Sequence, residues 1–425
     1  MKPSLYNVYQ KIDSKFYVFN TYTSKHLEIS QEQYELLKNN DKNLDKIESC
    51  NELAELGIVI NDNVNELYQL KKRYKKEQKE KDVLTITIAP TLRCNFACPY
   101  CYENRDGKII DEKEQDAIID FIHRNLKYGY KKINVIWFGG EPLIAFNIIS
   151  HMSNEIIEIC DKYNVEYNAF LTTNGFLLTD EISKKLSKLK INQLYITLDG
   201  LADVHDKRRC LIGKGNTFDT IVRNIKNAKR YKINMVIRMN IDKTNIDNIE
   251  ELRKFVETEL KLPMYLGLVR EYTESCNIGK ENYLTKKEYA RILNEFNEKQ
   301  EKTSENIFPR QLPIYCRACK IGTFVIDPDL NLYKCENDIG RIENRIGSVE
   351  NYQFENEINN AYNPRFYKWN PFKYKKCRSC NLLPICMGGC PFIGIREKTP
   401  ECEIYKYNFN KIFEKIVQIN GSMSK

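Results

Sequence analysis

Between residues 83 and 269 the chain alternates short apolar runs with longer amphipathic stretches. The runs are VLTITIA (83–89), INVIWF (133–138), EYNAFLTT (166–173), QLYITLD (193–199), INMVIRMN (233–240) and PMYLGLV (263–269). The stretches between them, such as EKEQDAIIDFIHRNLK, IISHMSNEIIEICDKY and TFDTIVRNIKNAKR, carry helical periodicity. Strands separated by helices predict βα units around a parallel sheet. Six units are fewer than the eight that close a barrel, so the pattern predicts an α/β partial (β/α)6 barrel. Its functional loops gather at the C-terminal ends of the strands.

Two regions flank this one. Residues 1–70 read as short alternating strands, YNVYQKI and KFYVFNT, then a helix begun by Ser30, more helix and an ELGIVI segment. That is a small α+β module, and the charged run that follows predicts a helical linker over 71–82. The barrel region extends over 83–309, and residues 310–425 predict a separate Cys-rich domain. The last region has strand signals in GTFVIDP and NLYKC and closes on a helical pattern, YKYNFNKIFEKIVQI.

A hydrophobic content of 42% with 29% charged residues fits a globular chain. The net charge of +8 is spread over Lys-rich stretches such as KKRYKKEQKEK and SKKLSKLK, which read as solvated helix faces. No basic patch with stacking aromatics is present, so no nucleic-acid partner is expected. No run of about 18 apolar residues exists, so no membrane span is expected. The N-terminal MKPSLYNVYQ has no apolar core of a secretory signal, which predicts a cytoplasmic protein. Disulfides are rare there, so the 15 cysteines point to metal or redox chemistry.

The cysteines cluster. Cys94, Cys98 and Cys101 fall in TLRCNFACPYCYE, directly after the first strand of the barrel region. Their spacing also describes one face of a helix, but Pro99 argues against a helix there. Three thiolates leave one coordination position short for a closed zinc site or a fully ligated [4Fe–4S] cluster. After residue 300 come Cys316, Cys319, Cys335, Cys377, Cys380, Cys386, Cys390 and Cys402, enough for two four-thiolate sites of zinc or iron–sulfur type. Cys50, Cys160, Cys210 and Cys276 stand alone and read as small buried hydrophobes.

C-x3-C-x2-C on the first βα loop, with the aromatic Tyr100 before the last cysteine, resembles the radical S-adenosylmethionine (SAM) enzymes. The resemblance implies a [4Fe–4S] cluster on Cys94, Cys98 and Cys101 whose open iron binds SAM and, once reduced, cleaves it to a 5′-deoxyadenosyl radical. WFGGEP (137–142) resembles the family's GGE motif, which implies that Gly139 and Gly140 allow close approach and that Glu141 binds the SAM amino group. TTNG and TLDG end the third and fourth strands, placing Asn174 and Thr197 at positions near the ribose and methionine parts of SAM. VHDKRR resembles H-D-x-x-R and selects Arg209, and Arg238 is a further candidate for the SAM carboxylate.

C-x2-C-x5-C-x3-C followed by a distant cysteine is similar to the SPASM extension of these enzymes, which holds two auxiliary [4Fe–4S] clusters. The resemblance implies a first cluster on Cys319, Cys335 and Cys390, with Cys316 as possible fourth ligand, and a second on Cys377, Cys380, Cys386 and Cys402. Leu330 departs from the glycine usual five residues before the cysteine matched by Cys335. Glu336 stands where sulfatase-maturing relatives carry an acidic base. Residues 1–70 resemble the winged-helix-like peptide-recognition module of ribosomal-peptide maturases, which captures a leader by strand addition. The implied function is therefore hydrogen abstraction from a precursor peptide to form a thioether or carbon–carbon crosslink, fed by a reductant such as flavodoxin or ferredoxin. Sulfatase maturation to formylglycine is the alternative enzyme. A non-catalytic zinc or iron–sulfur interaction protein is the alternative of another class.

Overall fold

The computed structural model describes all residues except 41–43, 45–49, 104, 106, 273–275, 277, 301–308, 354–363 and 424–425, with side chains up to residue 419. The boundary expected at 309–310 abuts residues outside that set. The chain divides into two compact units. One comprises Met1–Lys79, Thr285–Lys320 and Arg365–Lys425, here the cysteine unit; the other comprises Glu80–Leu284 and Ile321–Pro364, here the sheet unit. Among the described residues, no helix is long and apolar enough to cross a membrane.

The cysteine unit begins with strands β1 (Lys2–Pro3), β2 (Asn7–Ile12), β3 (Lys15–Asn20), β4 (Lys25–Ile29) and β5 (Val59–Ile60). β2, β3 and β4 form an antiparallel sheet with β3 in the centre, and β1 pairs with β5. Ser30 caps the helix Gln31–Asn39 through a reciprocal capping box with Gln33. The helix Glu66–Gln78 runs through most of the stretch expected as linker. Its Leu70, Tyr74 and Gln78, four residues apart, are buried while the lysines between them face outward. Tyr6, Leu70 and Tyr74 pack against Phe372, Cys377, Leu383 and Met387. Tyr17 and Phe19 pack against Leu382, Ile385, Phe409, Phe413 and Ile416. The first 79 residues and the last 61 thus share one core.

The sheet unit is mixed α/β around a central, mostly parallel sheet. Its strands are β6 (Val83–Ile88), β7 (Lys132–Trp137), β8 (Glu166–Thr173), β9 (Ile191–Thr197), β10 (Asn234–Ile241), β11 (Met264–Leu268), β12 (Thr323–Ile326), β13 (Asn331–Tyr333) and β14 (Gly347–Ser348). The order is β11-β10-β9-β8-β7-β6-β12-β13-β14. The six expected strands lie in sequence order, all parallel to their neighbours. β12 adds in parallel on the far side of β6, and β13 and β14 follow antiparallel. Alternate residues Ile133, Val135 and Trp137 of β7 have no exposed surface, which is why the run reads as a strand with one face fully covered. The β12–β13 turn forms without the glycine common in the resembled family. Leu330 itself takes φ 63°, and Asp327 steadies the turn by accepting the N–H groups of Asp329 and Asn331 at 3.0 and 2.9 Å.

Candidate functional site

The loop after β6 carries Cys94, Cys98 and Cys101, and it is pinned from several sides. Phe96 bridges to Leu211. The Ala97 N–H donates to Cys210 O at 2.9 Å, and the Ile212 N–H donates to Asn95 O at 2.9 Å. From below, the loop after β7 runs alongside: Gly140 N–H donates to Thr91 O at 3.3 Å and Glu141 N–H to Arg93 O at 2.9 Å. A Cβ at Gly140 would overlap the carbonyl oxygens of Leu92 and Arg93, and Gly139 has φ 109° with its absent Cβ against Thr91 O. The glycine pair therefore lets two backbones touch at residues 91–93, which lead into Cys94. Gly140→Ala must push the 91–93 backbone away. We expect it to lose about four irons per chain when reconstituted, although every thiol is retained. Iron content equal to wild type, from colorimetric analysis, would refute this.

Glu141 has no exposed surface. Its carboxylate accepts from Thr173 Oγ1 at 2.7 Å, the Asn174 N–H at 2.7 Å and the Leu143 N–H at 3.0 Å. Burial raises its pKa and these three bonds oppose the rise. The carboxylate thus ties the loop after β7 to the end of β8. Three bonds leave one of the carboxylate's roughly four acceptor positions for the ammonium contact that the resemblance implies. Asn174 is likewise engaged, donating from Nδ2 to Asn95 Oδ1 at 2.8 Å and coming within 4.0 Å of Cys94 Sγ.

A cleft of about 900 Å³, part of it open solvent, lies over this loop. Cys94, Cys98, Cys101, Gly139, Gly140, Asn174, Thr197, Arg209 and Arg238 all line it, as does the ring of Tyr100. The Tyr100 hydroxyl donates to the Asp199 carboxylate and accepts from Arg209 Nη1 at 2.6 Å. Arg209 is 8% exposed, and its Nε finds no hydrogen-bond partner among the described residues. Arg238 Nε donates to Asn240 Oδ1 at 2.7 Å. Burial pushes the Cys94 thiol up to about 12 and Cys101 up to about 11, so metal binding there must displace protons.

Sequence reasoning missed three residues of this site. Asp199 takes the Tyr100 hydroxyl and the Asn240 N–H. Arg208, next to the selected Arg209, holds Asp242 with both Nη atoms at 3.1 and 2.8 Å. Glu103 lines the cleft two residues after Cys101, with Oε2 enclosed and unpartnered among the described residues. Glu103 is half-buried as a residue, yet burial of its carboxyl alone pushes its pKa up to about 7. Its place in the cysteine loop is the signal that could have found it. Glu336 accepts from Thr87 Oγ1 on β6 at 3.1 Å. Burial, and then the Glu103 and Glu336 charges, raise the pKa of the Tyr102 phenol.

In the cysteine unit, Cys377, Cys380, Cys386 and Cys402 lie near one another. Burial, and then the other three thiols, push Cys377 up to about 12. Cys386 Sγ accepts the backbone N–H groups of Glu403 and Gly388. The loop bends through three consecutive left-handed residues, Met387, Gly388 and Gly389 at φ 47°, 83° and 68°. A Cβ at Gly389 would overlap Glu401 O, so the glycine lets the Cys386 loop close on the Cys402 segment. Cys319 and Cys316 border Tyr74, whose hydroxyl is hydrogen-bonded to the Cys319 side chain. Cys390 and Cys316 border Tyr315. Cys335 belongs to the sheet unit. Among the described residues, no three His, Cys, Asp or Glu side chains close around a single metal ion. A cubane holds its thiolates further apart, because each binds a different iron.

The model of the radical SAM superfamily matches residues 88–256. The chain carries a radical SAM domain. The cysteine-type anaerobic sulfatase-maturating enzyme of Clostridium novyi (strain NT) is 25% identical over 381 residues, covering 80% of this chain and 98% of that enzyme. Among solved structures, native anSMEcpe with bound AdoMet and Cp18Cys peptide superimposes with a TM-score of 0.60 at 19% identity, over 79% of this chain and 99% of that one. Streptococcus suis SuiB bound to precursor peptide SuiA gives 0.55 at 18% identity, over 95% of this chain and 98% of that one. The radical SAM domain implies a [4Fe–4S] cluster and SAM. The residues present fit both: three thiols on one loop, a glycine cradle beneath them, and a buried arginine Nε without an internal partner.

Proposed function

We propose that the protein is a radical SAM maturase that binds a ribosomally made precursor peptide through its leader and crosslinks it by a thioether or carbon–carbon bond. The supporting observation is extent of likeness. The sulfatase-maturating relative accounts for 80% of the chain, whereas the SuiB fold accounts for 95%. A bound peptide is also what the names of SuiB with SuiA and of anSMEcpe with Cp18Cys state for those proteins.

Cys94, Cys98 and Cys101 would hold the [4Fe–4S] cluster, which would supply the reductive cleavage of SAM to a 5′-deoxyadenosyl radical. Arg209 offers its unpartnered Nε to the SAM carboxylate, and Thr197, Arg238 and the backbone beside Gly139 and Gly140 line the rest of that ligand's cleft. Asn174 and Glu141 position the Cys94 loop. On the substrate side Glu336 accepts a proton, oriented by Thr87. Cys319, Cys335 and Cys390, with Cys316 as possible fourth ligand, would hold one auxiliary cluster and Cys377, Cys380, Cys386 and Cys402 the other, and a reductant such as flavodoxin or ferredoxin would supply the electron for SAM cleavage. The leader adds to the outer edge of β4. The other edge strand, β2, is already engaged: the Asn7 carbonyl takes Asn381 Nδ2 at 3.0 Å, and Gln10 Nε2 reaches Glu414 at 2.8 Å.

The second reading is sulfatase maturation, favoured by the near full-length coverage of the Clostridium novyi enzyme. One experiment separates them. Reconstituted enzyme, SAM and dithionite are given either a small peptide encoded beside the gene or a sulfatase-derived peptide presenting Cys or Ser. Loss of two hydrogens from the first, without an aldehyde, supports the crosslinking reading. Aldehyde formation on the second, with the first unchanged, overturns it.

A further inference from the structure

The cysteine unit holds a buried polar group that the proposed chemistry leaves unused. Glu403 follows Cys402 and is 8% exposed. Its Oε1 accepts from Lys286 Nζ at 3.0 Å and from the Tyr315 hydroxyl at 2.8 Å. Lys286 opens the helix Lys286–Glu298 and has Glu401 as a second partner at 3.7 Å. Three charged groups are thus gathered where solvent screens them little.

Both ends of this group meet thiols. The Glu403 N–H donates to Cys386 Sγ, and its carboxylate is among the charges acting on that sulfur. Tyr315, at the other end, lies beside Cys390 and Cys316. One carboxylate, through its own amide and through a phenol, reaches both groups of cysteines in this unit. Desolvation largely cancels what a buried ion pair adds to stability, so holding one helix in place does not account for it. A fixed charge beside an iron–sulfur cluster, by contrast, changes how easily the cluster accepts an electron.

We propose that Glu403, held by Lys286 and Tyr315, is a tuning residue that sets the reduction potential of a [4Fe–4S] cluster on Cys377, Cys380, Cys386 and Cys402. The inference rests on the auxiliary-cluster reading above. Reduction adds one electron to the cluster. The Glu403 carboxylate opposes that added charge and the Lys286 ammonium favours it, so removing each moves the potential in opposite directions.

The test uses the full chain in a Cys94→Ala, Cys98→Ala, Cys101→Ala background, so that only auxiliary clusters contribute. Midpoint potentials are read from paramagnetic resonance spectra during anaerobic titration with dithionite. Glu403→Gln is expected to make reduction at least tenfold easier, a positive shift of about 59 mV for a one-electron couple, and Lys286→Met to shift it negatively. Glu403→Asp and Lys286→Arg should stay close to the parent, and Tyr315→Phe should move less than Glu403→Gln. Shifts of the same sign, or changes below twofold in both charge-removing variants, overturn the proposal. So does loss of the cluster in both, since the pair would then be structural. Absence of auxiliary iron and sulfide in the parent itself would instead overturn the cluster reading on which the inference stands.

Discussion

With Cys94, Cys98 and Cys101 all replaced by alanine, the protein releases no 5′-deoxyadenosine above background. The three thiols share one loop at the cleft, and among the described residues no other cysteine lines it. Losing all three removes every thiolate that could hold iron beside the Arg209 side chain. About four irons per chain should disappear while the cysteines of the other unit keep theirs. Cys94 and Cys101 are half-buried, so any cost to the fold falls mainly on the buried Cys98. The measurement is 5′-deoxyadenosine by chromatography beside an iron assay. Release at the parental rate from the triple variant would sink the radical SAM reading of this loop.

The second large effect concerns residues 1–70. Their removal should unfold the cysteine unit and strip its iron, rather than produce an enzyme lacking only leader recognition. Tyr6, Tyr17, Phe19 and Leu70 are almost wholly buried, and their partners include Cys377 itself and the residues flanking Cys380 and Cys386. Each such side chain contributes about 1.5–3 kcal/mol on burial, so the loss is on the order of 10 kcal/mol. That is comparable to the whole stability of a typical domain. Iron analysis and near-ultraviolet dichroism of the truncated chain check this. A truncated protein with parental iron and a parental aromatic spectrum would contradict it. Leader capture is better tested by substitutions along β4, which leave this core in place.

The parallel strands were legible because one face is fully covered, leaving short runs with buried alternate residues between helical patterns. The cysteine loop was legible because Pro99 excludes a helix and the spacing leaves a ligand missing. Less visible was anything that depends on which segment meets which. Residues 321–364 return to the sheet through β12, but TFVI carries no mark of β6 as its neighbour. The Lys-rich run after residue 70 hid a buried stripe, since Leu70, Tyr74 and Gln78 are only three positions beside the nine charged ones of residues 71–81. Glu141 was recognised by its motif, but a motif does not say which way a carboxylate is used. Only the positions of Thr173, Asn174 and Leu143 reveal that it also ties the loop after β7 to the end of β8.

The addition of β12 beside β6 has a consequence for synthesis. β6 ends at Ile88, and its second neighbour begins at Thr323. At 5–20 residues per second, the ribosome takes roughly 12–50 s to supply the intervening chain. Throughout that interval VLTITI presents one unpaired backbone edge, with five of its six side chains destined for full burial. Unprotected apolar edges recruit other chains, so slow translation or a stop before residue 323 should favour aggregates seeded at this strand. Chaperones that shield β6 until β12 arrives should therefore raise the yield of soluble protein from a heterologous host.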